Sequence, residues 1–123
     1  MEKSFSERVA EAKAAVPSIS AREAAALREG CEEIVFVDPR PAEAIAASTG
    51  LIPGARNIPL GDIAAGRLPA GLGRRHQRVI AACQGGLMGA IAAHELKKLG
   101  YSRVSFIEGG TQAWLDAGLP TVR

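Results

Sequence analysis

Short apolar runs alternating with helix signals predict an α/β domain with a mainly parallel central sheet covered by helices on both faces. Three observations carry this. Ile34-Val35-Phe36-Val37 and Val79-Ile80-Ala81-Ala82 read as buried strands, because they run without polar residues, and Val104-Ser105-Phe106-Ile107 reads as another strand. Each is followed by glycine or proline and then by a helix-forming stretch. The 123 residues, 47% of them hydrophobic, suffice for one core and leave little for a second domain.

The elements follow in chain order. Ser4-Phe5-Ser6-Glu7 and Ser20-Ala21-Arg22-Glu23 both fit a capping box, in which hydroxyl and carboxylate satisfy free amides at a helix start. The first helix should stop before Pro17. The second should run to Gly30, where a left-handed end is expected. Residues 1–17 are set apart as an N-terminal helical extension and 18–123 as the domain proper. Phe5, Val9, Ala12 and Val16 give that first helix an apolar face, which predicts packing on its own domain ahead of a partner contact.

After the first strand, Asp38-Pro39-Arg40-Pro41 forms a stop, and a short helix is expected over Ala42–Ala47 with Pro41 near its first turn. Ile52-Pro53-Gly54-Ala55 reads as a turn, and Arg56-Asn57-Ile58 as a short strand. Leu60–Arg75 is glycine-rich and predicts one small helix near Asp62–Ala65, then loop. A helix should run from Leu87 to Leu99, closed by Gly100. Another should run from Thr111 to Ala117, ended by Gly118 and Pro120.

Charge and composition exclude several classes. Fifteen Lys+Arg against thirteen Asp+Glu leave a net charge of +2 with no long basic stripe, so binding of nucleic acid by charge is not expected. Mean hydropathy is +0.07, and no apolar run approaches the ~18 residues of a membrane span. Met1-Glu2-Lys3-Ser4-Phe5 does not read as a secretory signal. Two cysteines, Cys31 and Cys83, make no disulfide framework and point to a reducing, cytoplasmic setting.

Chemistry concentrates after the second apolar strand. That strand delivers Cys83 to its C-terminal end, Gly85 and Gly86 permit a tight turn, and a helix begins at once. Ligands collect at the carboxyl ends of strands in such sheets. Amides of a glycine-rich turn and a helix start cradle anions, and a thiolate is the nucleophilic form of cysteine. The pattern fits a nucleophile in an anion site. It fits equally a small buried apolar cysteine.

Other constellations fall away. There is no Gly-Lys pair for a phosphate loop, and Gly85-Gly86-Leu87-Met88-Gly89 lacks dinucleotide-binding spacing. Cys31, Cys83, His76 and His94 lack the spacing of a zinc site, so no metal is expected. A dyad between Cys83 and His94 is poorly placed, because His94 lies along the following helix. His76, within Arg74-Arg75-His76-Gln77-Arg78, reads as part of a solvated turn. Cys31 as a resolving partner for Cys83 would need their Cα atoms within ~7 Å.

The chain resembles single-domain rhodaneses, a sulfurtransferase family. Asp38-Pro39-Arg40 with Glu43 is similar to the family's D-V-R-x-x-x-E, with the glutamate one residue nearer. Ile52-Pro53-Gly54-Ala55-Arg56-Asn57-Ile58-Pro59 is similar to I-P-G-A-x-N-I-P, and Cys83 falls at the family's catalytic cysteine. Glu108-Gly109-Gly110-Thr111-Gln112-Ala113-Trp114 with Ala117-Gly118-Leu119-Pro120 resembles E-G-G-x-x-A-W-x-x-A-G-L-P. These motifs cover residues 18–123 in order.

The resemblance implies a three-layer rhodanese-like fold and sulfur transfer through a persulfide on Cys83. The donor would be thiosulfate or a persulfide, and the acceptor cyanide or a thiol. The backbone amides of Gln84, Gly85, Gly86, Leu87, Met88 and Gly89 would hold the charge, with no cofactor. Asp38 and Arg40 would sit near the base of the loop, more as an ion pair supporting it than as chemical groups. Glu108, Gly109, Gly110 and Trp114 read as a turn, a cap and a core anchor.

Two departures stand out. Met88 stands where many members carry arginine, five residues after the cysteine, and Gly50-Leu51 replaces a common Gly-His. An apolar loop predicts weak use of small inorganic anions and preference for a less charged or protein-bound persulfide. A related phosphatase class needs arginine six residues after the cysteine, where this chain has Gly89. The main rival to catalysis is a rhodanese-like module that binds a protein partner.

Overall fold

A computed structural model describes residues 3–30, 33–72 and 74–123. Its order is α1 (Phe5–Ala15), β1 (Ser18–Ile19), α2 (Ala21–Glu29), β2 (Ile34–Asp38), α3 (Ala42–Ala46), β3 (Arg56–Asn57), α4 (Leu60–Ala64), β4 (Arg78–Ala81), α5 (Leu87–Lys98), β5 (Arg103–Ile107) and α6 (Gly110–Asp116). A single 3-10 turn spans Ala70–Leu72. All five strands are parallel, in the order β1-β5-β4-β2-β3.

Alternation along the strands builds the three layers. Val79 and Ala81 of β4 pack with Val37, Val104 and Phe106 against Ile63 of α4 and Ile91 and Leu96 of α5. Their neighbours Ile80 and Ala82 pack with Phe36 and Ile107 against Ala21 and Ala24 of α2 and Trp114 of α6. Successive side chains point to opposite faces, so one apolar run supplies two cores. Trp114 meets Phe36 edge to face at 5.9 Å, and its Nε1 donates to the Pro120 carbonyl at 2.7 Å.

Both capping boxes form: Ser4 with Glu7, and Ser20 with Glu23. Glu7 is held below the usual carboxylate range, chiefly by hydrogen bonds from the Ser4 backbone and side chain. Helix α1 packs on α5, with Val9, Ala12 and Val16 in the larger core.

Several expectations need correction. Gly30 ends α2 in an extended conformation (φ −73°), because its amide closes a tight turn onto the Leu27 carbonyl instead of crossing into the left-handed region. Helix α4 begins at Leu60, with Pro59 at its cap, earlier than Asp62. Pro41 stands at the cap of α3, beside the first turn as expected. Ile34 and Val35 are half-buried, so β2 is enclosed only over Phe36–Asp38. Strand β1 was not expected: two residues carry no periodicity, and pairing with β5 alone defines it.

Candidate functional site

Cys83 lies two residues beyond β4, the middle strand of the sheet, where Ala82 extends the ladder by donating to the Val37 carbonyl at 2.9 Å. Four per cent of the residue is exposed. The chain then reverses through Gln84 and Gly85 to Gly86, whose amide donates to Cys83 Sγ at 3.0 Å. Gly86 has φ +97°, and a Cβ there would stand 3.0 Å from the Gly109 nitrogen. A left-handed cap in a crowded space needs glycine, and this one aims an amide at sulfur.

Helix α5 starts at Leu87, so the amides of Leu87, Met88 and Gly89 have no acceptor within the helix. The sulfur therefore sits over a twelve-residue helix start, whose dipole favours an anion. Leu87 is 46% exposed and Met88 half-buried, which gives the loop an apolar rim. Gly89 packs on the strand end, where a Cβ would meet the Cys83 nitrogen at 3.3 Å and the Ala81 oxygen at 3.5 Å.

The start of α6 fixes the loop from beneath. The Thr111 amide donates to the Cys83 carbonyl at 2.6 Å, and the Gln112 amide to the Gln84 carbonyl at 3.1 Å. Gly110 fills the gap, with φ +62°; a Cβ there would lie 2.2 Å from the Cys83 oxygen and 2.8 Å from the Gly86 nitrogen. Sequence reasoning read Gly109-Gly110 as a turn and cap. The pair of glycines is also the signal for this close approach of two backbones. Gly110→Ala should lower stability by about 2–4 kcal/mol, combining a left-handed alanine with an overlap no side chain can relieve. Urea unfolding would measure it, and alkylation of Cys83 should speed up as the loop loosens.

Asp38 and Arg40 form a buried bidentate pair, with Nε to Oδ1 at 3.0 Å and Nη2 to Oδ2 at 2.6 Å. The guanidinium also donates to Ser48 Oγ (3.2 Å), Thr49 Oγ1 (3.0 Å) and the Gly50 carbonyl (3.4 Å). Asn57 Nδ2 ties the same turn by donating to the carbonyls of Asp38 and Arg40. These bonds run to the 48–50 turn; none reaches the Cys83 loop among the described residues. Among the described residues, the hydrogen bond that links the pair's strand to the site is the one from the Ala82 amide to the Val37 carbonyl of β2.

His94 faces α1 on the far part of α5, in a cavity lined by Arg8, Glu11, Glu95 and Lys98. Burial, helped by Lys98, pulls its pKa below the usual histidine value. His76 is exposed in a turn. Its neighbour Arg75 is tied down, donating to Tyr101 Oη at 3.0 Å and to the Leu99 carbonyl. Cys31 lies outside the described residues. No cluster of three metal-ligating side chains occurs among the described residues, and no helix there is long and apolar enough to cross a membrane.

A family model, the rhodanese-like domain, matches residues 20–117. The chain belongs to that family. This rhodanese-like domain is also similar to several solved structures. One is a protein of unknown function from Rhodopseudomonas palustris, named a possible tyrosine phosphatase: 27% identical, TM-score 0.86, covering 98% of this chain and 96% of that one. A rhodanese-related protein from Thermoplasma volcanium is 30% identical with TM-score 0.64, over 85% and 95% of the two chains. The human single-domain sulfurtransferase TSTD1 is 26% identical with TM-score 0.69, over 82% and 96%. Comparison with curated proteins gives no match.

The cavity beside the Cys83 loop holds what sequence reasoning missed. It has a volume of about 190 Å3 and is lined by Gly85, Gly86 and Leu87, by Glu108 and Gly109, and by Lys13 from α1. Nothing in the sequence places residue 13 next to residue 86; the docking of α1 on α5 does.

Proposed function

We propose that this rhodanese-like domain is a sulfurtransferase that carries sulfane sulfur as a persulfide on Cys83. The observation that carries the reading is the Gly86 amide donating to Cys83 Sγ at the end of a central strand. An N–H aimed at sulfur uses it as an acceptor, a role a thiol fills weakly and a thiolate or the inner sulfur of a persulfide fills better. The family and the likeness to a human single-domain sulfurtransferase support the same chemistry.

In this mechanism the Cys83 thiolate attacks the outer sulfur of the donor. The donor's sulfur–sulfur bond breaks, and its electron pair leaves with sulfite or a thiolate. The amides of Gln84 to Gly89 stabilise the charge on Cys83 and its persulfide. A thiol or cyanide then takes the terminal sulfur and returns the thiolate. No residue in the scheme calls for a metal or organic cofactor. The reading keeps the cytoplasm as its compartment.

The apolar rim sets the donor. With Met88 where an arginine is common, thiosulfate lacks a loop cation to pair with, and less charged or protein-bound persulfides are favoured. Phosphate faces the same loop without a clamp, since Gly89 occupies the place of the phosphatase arginine and packs on backbone. The alternative of a partner-binding module draws on the exposed Leu87.

The test is intact-mass spectrometry after incubation with thiosulfate and, separately, with a low-molecular-weight persulfide. The expected result is a gain of one sulfur, larger from the persulfide and removable by cyanide. Loading by neither donor on a folded protein would favour the binding module. Equal loading by both would sink the donor preference. Steady hydrolysis of an aryl phosphate would replace sulfur transfer with phosphatase chemistry.

A further inference from the structure

The cavity beside the Cys83 loop contains one cation and one carboxylate, Lys13 and Glu108, along with bare loop backbone. Neither side chain makes an ion pair or hydrogen bond among the described residues, and both are exposed. Gly86 belongs to both places: it lines this cavity, and its amide holds Cys83 Sγ. Cys83 itself does not line the cavity; Gly86 is the residue that joins it to the reacting sulfur.

Resting on the sulfurtransferase reading, the geometry points to an amino-acid persulfide as the donor, its α-carboxylate on Lys13 and its α-ammonium on Glu108. Two opposite charges in a cavity of about 190 Å3 match a small zwitterion. They match an inorganic dianion poorly, because such an ion gains the lysine and meets the glutamate. The cation missing from position 88 is thus supplied from outside the loop, in a place suited to the donor's tail and not to its sulfur.

The step balances without an outside oxidant. Cys83 Sγ forms a bond to the donor's terminal sulfur, the donor's S–S bond breaks, and the electron pair leaves on the inner sulfur as an amino-acid thiolate. The proton on the terminal sulfur travels with it to the Cys83 persulfide. Lys13 and Glu108 are positioning residues; neither touches the reacting atoms.

Single-turnover loading of Cys83, followed by mass, tests this with cysteine persulfide, its methyl ester and its N-acetyl form. Lys13→Ala should raise the half-saturating concentration of cysteine persulfide about five- to tenfold, with the maximal rate kept. It should leave the methyl ester unchanged, and Lys13→Arg should restore the native value. Glu108→Gln should weaken cysteine persulfide and spare the N-acetyl form. Thermal unfolding checks that each exposed-site variant is folded. Loading that proceeds from all three donors with saturation indifferent to both residues overturns the inference and leaves the sulfurtransferase reading standing. No loading from any donor removes both.

Discussion

Cys83→Ser should abolish sulfur transfer and leave the fold almost untouched. Serine is close in size, and its hydroxyl oxygen still accepts the Gly86 amide, so the stability change should stay within about 1 kcal/mol. The oxygen cannot hold sulfane sulfur in an exchangeable bond, so no gain in mass should follow exposure to any donor. The contrast separates the two readings of this cysteine that the sequence leaves level. A merely buried apolar cysteine predicts that the serine variant loses stability and keeps whatever activity there is. Cys83→Ala is the complementary probe: it strips the Gly86 amide of its acceptor and should loosen the loop as well as silence it. Retained transfer in a folded serine variant would move the nucleophile elsewhere.

Much of this architecture is legible in the sequence, because the information is local. Both capping boxes, the three apolar strands and the glycine-marked reversals predict elements within a residue or two of where they stand. The position of Cys83 follows from the same logic: an apolar run, a glycine pair, then a helix. What is not legible is set by contacts between distant segments. β1 exists because Ser18 and Ile19 align with Phe106 and Ile107. The support of the loop comes from α6, whose Thr111 and Gln112 amides meet carbonyls nearly thirty residues earlier in the chain. Lys13 reaches the cavity because Val9, Ala12 and Val16 dock α1 on the sheet's α5 face. Gly30 shows the reverse error, a local rule applied where the chain had another way to end a helix.

Arg40→Ala should be the most destabilising of the substitutions considered, by about 3–5 kcal/mol. Asp38 is 2% exposed and Arg40 5%, so removing the guanidinium leaves a carboxylate in the interior with the Arg40 amide as its remaining partner. The loss spreads to the 48–50 turn, since Ser48, Thr49 and the Gly50 carbonyl all take bonds from the same side chain. That turn leads into Leu51, which exchanges two backbone hydrogen bonds with Val122 near the C-terminus. Urea unfolding should show the loss, and amide exchange at Leu51 and Val122 should accelerate first. Replacing the pair together, Asp38→Leu with Arg40→Met, should recover much of the stability, because it removes the uncompensated charge along with its partner. The two variants also decide what the pair does for chemistry. If Arg40 acts only through the fold, sulfur loading per folded molecule stays near the native rate in both. A loading rate that falls far beyond the folded fraction, and is not rescued in the apolar double variant, would put the guanidinium in contact with the reaction.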